Sequence, residues 1–170
     1  MNEQIKIETI DTLSPEDLNQ LAELLVNVVN DGASIGFLPP LREVEARMYV
    51  DSVIAPSNLL LAARIKNTIV GTVQVQLATK PNATHRCEIA KLMTHPGYQR
   101  RGIGRMLMTK AEELAREHHR SLIVLDTREG DPSNRLYQSL NFIEAGRIPH
   151  YAQSEGGKLD TTVYYYKILR

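Results

Sequence analysis

Gln99-Arg100-Arg101-Gly102-Ile103-Gly104 runs straight into an amphipathic segment, and its residue types state a chemistry more plainly than any other stretch of the chain. Glycine has no Cβ, so Gly102 and Gly104 let the backbone turn tightly and bring bare N–H groups close to a ligand. A helix starting there adds unpaired N–H groups and the positive end of its dipole, while Arg100, Arg101 and Arg105 add full charges. These residues describe an anion cradle suited to a pyrophosphate. Gly-x-Gly before a helix also opens a dinucleotide fingerprint, and Asp126 lies roughly where a ribose-binding acid would sit. Spacing decides against that reading: Thr94 to Arg101 separates Gly102 from the apolar segment ending near Met93, and Leu107 stands in place of the third glycine. Taken alone, the same residues could also be a basic helix start that binds nothing.

Three further groups bear on this choice. Glu88 lies on the strand-like segment Cys87 to Met93, a rigid mount for a carboxylate that is to exchange a proton within hydrogen-bonding reach. Asn134 and Tyr137, in Asn134-Arg135-Leu136-Tyr137, stand three apart and share one face of a short helix. A phenol titrating near 10 is neutral at pH 7 and has a proton to donate. A solvent-facing acid at a strand end, and a tyrosine packed on a sheet, are the plain alternatives for these side chains. Asp126 closes the apolar run Leu122 to Leu125 and sets a second acid beside the first.

The cradle resembles the Q/R-x-x-G-x-G/A motif with which the GNAT superfamily of acetyltransferases grips the pyrophosphate of acetyl-CoA. Asn134 to Tyr137, followed by Leu140-Asn141-Phe142, resembles the second signature of that superfamily. The resemblance implies acetyl-CoA as cosubstrate, held by Gln99, Arg100, Arg101, Gly102, Ile103, Gly104 and Arg105, with Asn134 as a further contact. It implies that the main chain of Leu92 and Met93 serves the pantetheine arm and the thioester oxygen. It also implies Glu88 as general base and Tyr137 as general acid. Nearly the whole chain is similar to the tabtoxin-resistance acetyltransferases, through Asp31 to Phe37, Lys80-Pro81-Asn82, Glu88 to Met93, Leu125-Asp126-Thr127 and Tyr164 to Lys167. Those enzymes acetylate a β-lactam amino-acid toxin, so the likeness implies a small-molecule amine as acceptor and makes Asp126 a second candidate base. Asp31, Ser34 and Phe37 belong to a segment available to wall off the acceptor.

These groups need elements to hold them. Alternation from Ile5 to Ile10 predicts a strand. Ser14-Pro15-Glu16-Asp17 predicts a helix start, with Ser14 as N-cap and Asp17 completing a capping box, and Leu18, Leu21, Leu25 and Val28 as the buried face. Pro39-Pro40 opens a second helix carrying Val44, Met48 and Val53. Leu59 to Ile65 and Thr68 to Ala78 form a hairpin around Lys66-Asn67, and Cys87 to Met93 is a central strand. The helix after Gly102 buries Ile103, Met106, Leu107, Ala111 and Leu114 and turns Glu112, Glu113, Arg116 and Glu117 to water. Leu122 to Asp126 reads as a strand buried on both faces. Asp131-Pro132 caps a short helix through Leu140, and strands near Phe142 to Arg147 and Thr162 to Leu169 complete the sheet. The expectation is a three-layer α/β arrangement: a mixed, mostly antiparallel sheet with helices on both faces, as one unit over residues 1–170.

Composition limits what else the chain can do. It has 170 residues, 42% hydrophobic and 24% charged, with Lys+Arg and Asp+Glu equal at 20 each, so no global field favours nucleic acid or a membrane. Cys87 is the single cysteine, which excludes an internal disulfide and argues against a Cys-based metal site. No apolar stretch reaches membrane-spanning length and the N-terminus lacks a signal-peptide pattern, so a cytoplasmic protein is expected. Gly156-Gly157-Lys158 lacks the remainder of a phosphate loop and reads as a turn. The sequence therefore predicts direct acetyl transfer to an amine, with neither metal nor covalent acetyl-enzyme. Cys87 has no histidine beside it, and Glu88 would raise its pKa. A peptide acetyltransferase and a non-catalytic acyl-CoA sensor are the competing functions, and both monomer and homodimer stay open.

Overall fold

In the computed structural model, which describes residues 3–170, the first strand β1 (Ile5–Ile10) leads into α1 (Pro15–Asn30). Ser14 caps α1 by accepting a hydrogen bond from the Asp17 N–H at 3.0 Å. The return half of the expected capping box is replaced by a longer reach, because the Asp17 carboxylate accepts from Arg64 at 2.6 Å. Leu21, Leu25 and Val28 are buried as their spacing predicts, together with Ala22, Leu24 and Val29.

The second helix departs from its prediction. It is α2 (Glu43–Asp51), it starts beyond Pro39-Pro40, and its buried residues are Ala46 and Val50. Val44 and Met48 are 54% and 70% exposed, and Val53 is buried but lies past the helix end. Each proline disfavours helical backbone at the residue before it, and the helix begins only after Arg42, whose backbone N–H and guanidinium both donate to the Glu45 carboxylate. The small Ala46, rather than the larger Met48, is the side chain that joins the core beneath α1.

Six more strands and two helices follow: β2 (Asn58–Ile65), β3 (Thr68–Leu77), β4 (Arg86–Thr94), α3 (Ile103–Glu117), β5 (Leu122–Arg128), α4 (Ser133–Ser139), β6 (Ile143–Gln153) and β7 (Leu159–Ile168). The seven strands form one sheet in the order β1-β2-β3-β4-β5-β7-β6. Among the described residues β4 and β5 are the one adjacent pair that is parallel, and α3 supplies the crossover that such a pair needs. The expected fold class thus stands. β6 and β7 are longer than their sequence patterns suggest and close around a short turn at Glu155–Gly157.

One apolar core lies beneath α3 and α4, built on Val70, Val73, Cys87, Ile89, Ile123, Leu125 and Tyr165. A second lies beneath α1 and α2 and takes in Leu60, Ala62, Ile69 and Met93. Each fully buried Leu or Ile contributes roughly 1.5–3 kcal/mol. The stripe of α3 is Ile103, Leu107, Met108, Ala111, Leu114 and Ala115, while Met106 is 37% exposed at its margin. Glu112 is not simply turned to water, since it pairs with Lys167 of β7 and Arg116. β5 is buried on one face only, with Ile123 and Leu125 in the core and Val124 and Asp126 half-buried. The face bearing Val124 and Asp126 borders open space rather than a helix, and that space is the site.

No helix among the described residues is long and apolar enough to cross a membrane.

Candidate active site

The site arises from a fault line in the sheet. β4 and β5 pair only at Arg86–Leu122, Cys87–Ile123 and Glu88–Val124. Beyond Glu88, the edge of β4 facing β5 has no strand partner, so its backbone polar groups are available to a ligand. Glu88, Val124 and Asp126 share one face of the sheet by register and alternation. Both acids line a cleft of about 420 Å³ together with Tyr137, Leu92, Lys91, Ser34 and Tyr151.

β4 also carries a bulge. Thr72 pairs with Met93 and Gln74 with Ala90, so Lys91 and Leu92 face one residue of β3, and Lys91 adopts a left-handed φ of 54°. The extra residue reverses the phase of the strand: Cys87 and Ile89 enter the core under α3, whereas Leu92 packs on that core and Met93 enters the opposite one. Gly71 of β3 makes room for this turn, since a Cβ there would lie 2.8 Å from both the Met93 carbonyl oxygen and Ile103 Cγ2.

The charges in the cleft shape one another. Partial burial, reinforced by Asp126, holds the Glu88 carboxyl above its ordinary value, against the opposing pull of Lys91 and Arg86. Asp126 is oriented by the Thr162 hydroxyl, which donates to its Oδ2 at 2.7 Å. Tyr137 is packed against Phe142 and Tyr165, with ring centroids 5.9 Å from each. Burial raises its phenol well above the usual value, and Asp126 and Asp131 push the same way. It is therefore a firmly protonated group on the cleft wall. Cys87 is fully buried and its thiol is pushed up to about 11, mainly by that burial, which makes it a poor nucleophile.

At the N-terminus of α3, Gly102 takes a left-handed φ of 78° and no side chain caps the helix. Its first N–H groups are thus open to an anion, flanked by the exposed Gln99, Arg100 and Arg101. Arg101 lies over the Tyr98 ring, 4.9 Å from its centroid. Arg105 instead reaches α4, donating to Ser139 Oγ at 2.7 Å. Ile103 is buried, so its contribution to an anion site is its backbone. Gly104 faces the protein more closely than the sequence implies: a Cβ there would sit 3.3 Å from Leu136 and 4.0 Å from Leu92. These residues fit the pyrophosphate end of acetyl-CoA, and the unpaired edge of β4 fits an extended arm leading from it to the two acids.

Asn134 stands apart from the expectation of a free cofactor contact. Its amide donates to the carbonyls of Arg128 and Asp131, both at 2.9 Å, and its Oδ1 accepts from Tyr165 Oη at 2.9 Å. The geometry makes it a brace for the β5–α4 turn that carries Tyr137. Ser34 lines the acid-bearing cleft, whereas Phe37 lines an adjoining cavity of about 350 Å³ and packs edge-on against Tyr49. Asp31 is an exposed C-cap of α1 and lines neither cavity. Sequence reasoning missed Lys91, Arg128, Tyr151 and Thr162. Lys91 had left a signal, since strict alternation would aim it into the same core as Cys87 and Ile89. A lysine in that phase announces a register break.

Among the described residues, no three metal-ligating side chains gather. The Acetyltransferase (GNAT) family model matches residues 22–142. The chain is 28% identical over 128 residues to an uncharacterized N-acetyltransferase from the hisH-hisA intergenic region of Azospirillum brasilense, covering 74% of this chain and 76% of that protein. An acetyltransferase from Salmonella typhimurium, solved with its cofactor acetyl-CoA, superposes with a TM-score of 0.80 at 17% identity over 98% of this chain and 94% of that one. A ribosomal-protein-alanine N-acetyltransferase from Brucella melitensis gives 0.82 at 20% identity, over 96% and 99% of the two chains. The cradle, the opened sheet and these matches together make this chain a member of the GNAT family and an acetyl-CoA-dependent N-acetyltransferase.

Proposed function

We propose that this enzyme transfers acetyl directly to the amine of a small molecule in the cytoplasm, with amino-acid analogues of the tabtoxin kind among its candidate acceptors. The observation that carries the reading is the pair Glu88 and Asp126, on one face of two strands that stop pairing at Glu88, in one cleft with Tyr137. An acidic cleft attracts an ammonium group and supplies the base that deprotonates it, so one arrangement serves binding and chemistry.

Acetyl-CoA supplies an activated thioester carbonyl. Its pyrophosphate is the ligand expected of the Gly102 turn and the first N–H groups of α3, with Gln99, Arg100 and Arg101 around it. The open edge of β4 around Leu92 orients the arm by backbone hydrogen bonds, whereas the Met93 main chain pairs with Thr72 of β3. Glu88 takes the proton from the acceptor ammonium, and a carboxyl held above its ordinary value by burial and by Asp126 is the stronger base for that step. Asp126, held by Thr162, retains the ammonium beside it. A main-chain N–H on the open edge of β4, in place of the Met93 N–H that pairs with β3, stabilises the oxygen on which negative charge develops. Tyr137 keeps its proton until a thiolate forms, and the burial that raises the phenol pKa raises that of a thiol in the same cleft.

The test measures CoA release against small amines, amino-acid analogues, polyamines and peptides. Small cationic or zwitterionic amines should show the highest kcat/KM. Peptides outcompeting them would move the enzyme to the peptide class, and acetyl-CoA binding with no acceptor turned over would make it a sensor.

A further inference from the structure

We infer that Lys91 determines acceptor specificity: its ammonium receives a carboxylate of the acceptor, so the preferred acceptors carry amine and carboxylate close together, as amino acids do. This rests on the small-amine reading and narrows it.

The bulge of β4 lifts Lys91 out of the core phase and into the cleft lined by Glu88 and Asp126. A non-glycine residue at φ 54° is strained, and such strain is retained where the surrounding structure imposes it, most often at functional sites. The side chain crosses the cleft to the loop between α1 and α2, where its Nζ lies 3.2 Å from the place a Cβ on Gly36 would occupy. Gly36, at φ 92°, thus leaves room for the ammonium.

The charges of the cleft wall divide into two sets. Arg128 is fully engaged by the protein: it donates to Asp131 and to the Gly32 carbonyl, both at 3.0 Å, and lies 3.9 Å from Asp160. Glu88, Asp126 and Lys91 remain. Among the described residues Lys91 forms no ion pair within 4.0 Å, although its charge is felt by Glu88. Burial lowers the Lys91 pKa, while Asp126 and Glu88 raise it. A half-buried ammonium with three donors lacks an acceptor that a carboxylate would provide. An acceptor with its ammonium at Glu88 and Asp126 and its carboxylate at Lys91 satisfies all three groups. A diamine would instead bring a second cation towards Lys91.

The experiment compares matched acceptors, each amino acid against its carboxamide and its decarboxylated amine, on wild type, Lys91→Met, Lys91→Asn and Lys91→Arg. Asparagine tolerates left-handed backbone, so it keeps the test alive if the methionine variant does not fold. Melting curves and calorimetric acetyl-CoA titration report folding independently of turnover. Wild type should prefer the carboxylate-bearing member on the order of ten- to a hundredfold in kcat/KM. Both neutral variants should erase that preference, chiefly through acceptor KM, and Lys91→Arg should keep part of it. An equal loss on all members of a set, or a preference untouched by the neutral variants, overturns the assignment of Lys91 while leaving the small-amine reading intact. Turnover of peptides alone overturns both.

Discussion

At the scale of single residues, the chemistry depends on groups whose protonation is set by neighbours rather than by residue type. Glu88 is raised by burial first and by Asp126 second. In the proposed mechanism Glu88 is the base and works only when ionised, so kcat/KM should rise with pH through a value above that of an ordinary glutamate. Glu88→Gln should remove that rising limb and lower kcat/KM on the order of 10²-fold or more. Stability should respond in the opposite sense. A folded-state pKa above the unfolded one means that ionising Glu88 costs stability as pH rises, and the cost is complete above the folded value. The Gln variant should therefore melt higher than wild type at pH 8, with the gap closing towards pH 4. Tyr137 can be tested more simply, because its ring is buried and phenylalanine preserves the packing against Phe142 and Tyr165. Tyr137→Phe should lower kcat on the order of 10²-fold with acetyl-CoA affinity unchanged. An unaltered kcat, where chemistry limits the rate, would leave Tyr137 a packing residue.

At the scale of elements, the start of α3 is where strand, loop and helix meet. Gly102 faces open space, whereas Gly104 faces Leu136 and Leu92. A substitution at Gly104 consequently disturbs both the cradle and the contact of α3 with α4. Gly104→Val should abolish acetyl-CoA binding in calorimetry and also lower the Tm. Arg101→Ala separates the two effects, since Arg101 is exposed and touches only the Tyr98 ring among aromatic groups. It should weaken acetyl-CoA binding roughly three- to tenfold, with a smaller effect at high salt, and leave the Tm nearly unchanged.

At the scale of the molecule, the sheet is two halves joined weakly at the centre. Strands β1 to β4 and strands β5 to β7 share three paired positions, and the core beneath α3 and α4 supplies the rest of the connection. A ligand on the open edge of β4 and the start of α3 stabilises the folded state by mass action, about 2.7 kcal/mol at a hundredfold excess over Kd. For a chain of this length that corresponds to a Tm increase of roughly 5–11 °C. Scanning calorimetry across a series of acetyl-CoA concentrations should show a rise that continues with ligand, and Gly104→Val should flatten it.

The order of elements and the glycine turn before α3 were legible in the amino-acid sequence because each rests on local chemistry: glycine's backbone freedom, helix capping, and apolar periodicity. Glu88, Asp126 and Tyr137 could be named there as candidates, and the fold brings them to one cleft. Even the fold class follows from that order, since the hairpins are antiparallel and a parallel pair such as β4 and β5 needs a crossover of the kind α3 provides. What failed were judgements about which face an element presents. Val44 and Met48 have helical spacing yet face water, because the partner that decides the buried side of α2 is α1, distant in the chain. Leu122 to Asp126 looks doubly buried by composition, but the sheet opens there and one face becomes the cleft wall. Asn134 carries a signature side chain that the tertiary structure turns inward as a brace. Lys91 shows the limit most clearly: period-two alternation sends it into the core, and only the pairing of β3 with β4 inserts the extra residue that brings its charge to the acids. Local sequence determined which groups were present, and long-range pairing decided which of them meet, because register and burial are properties of two segments at once.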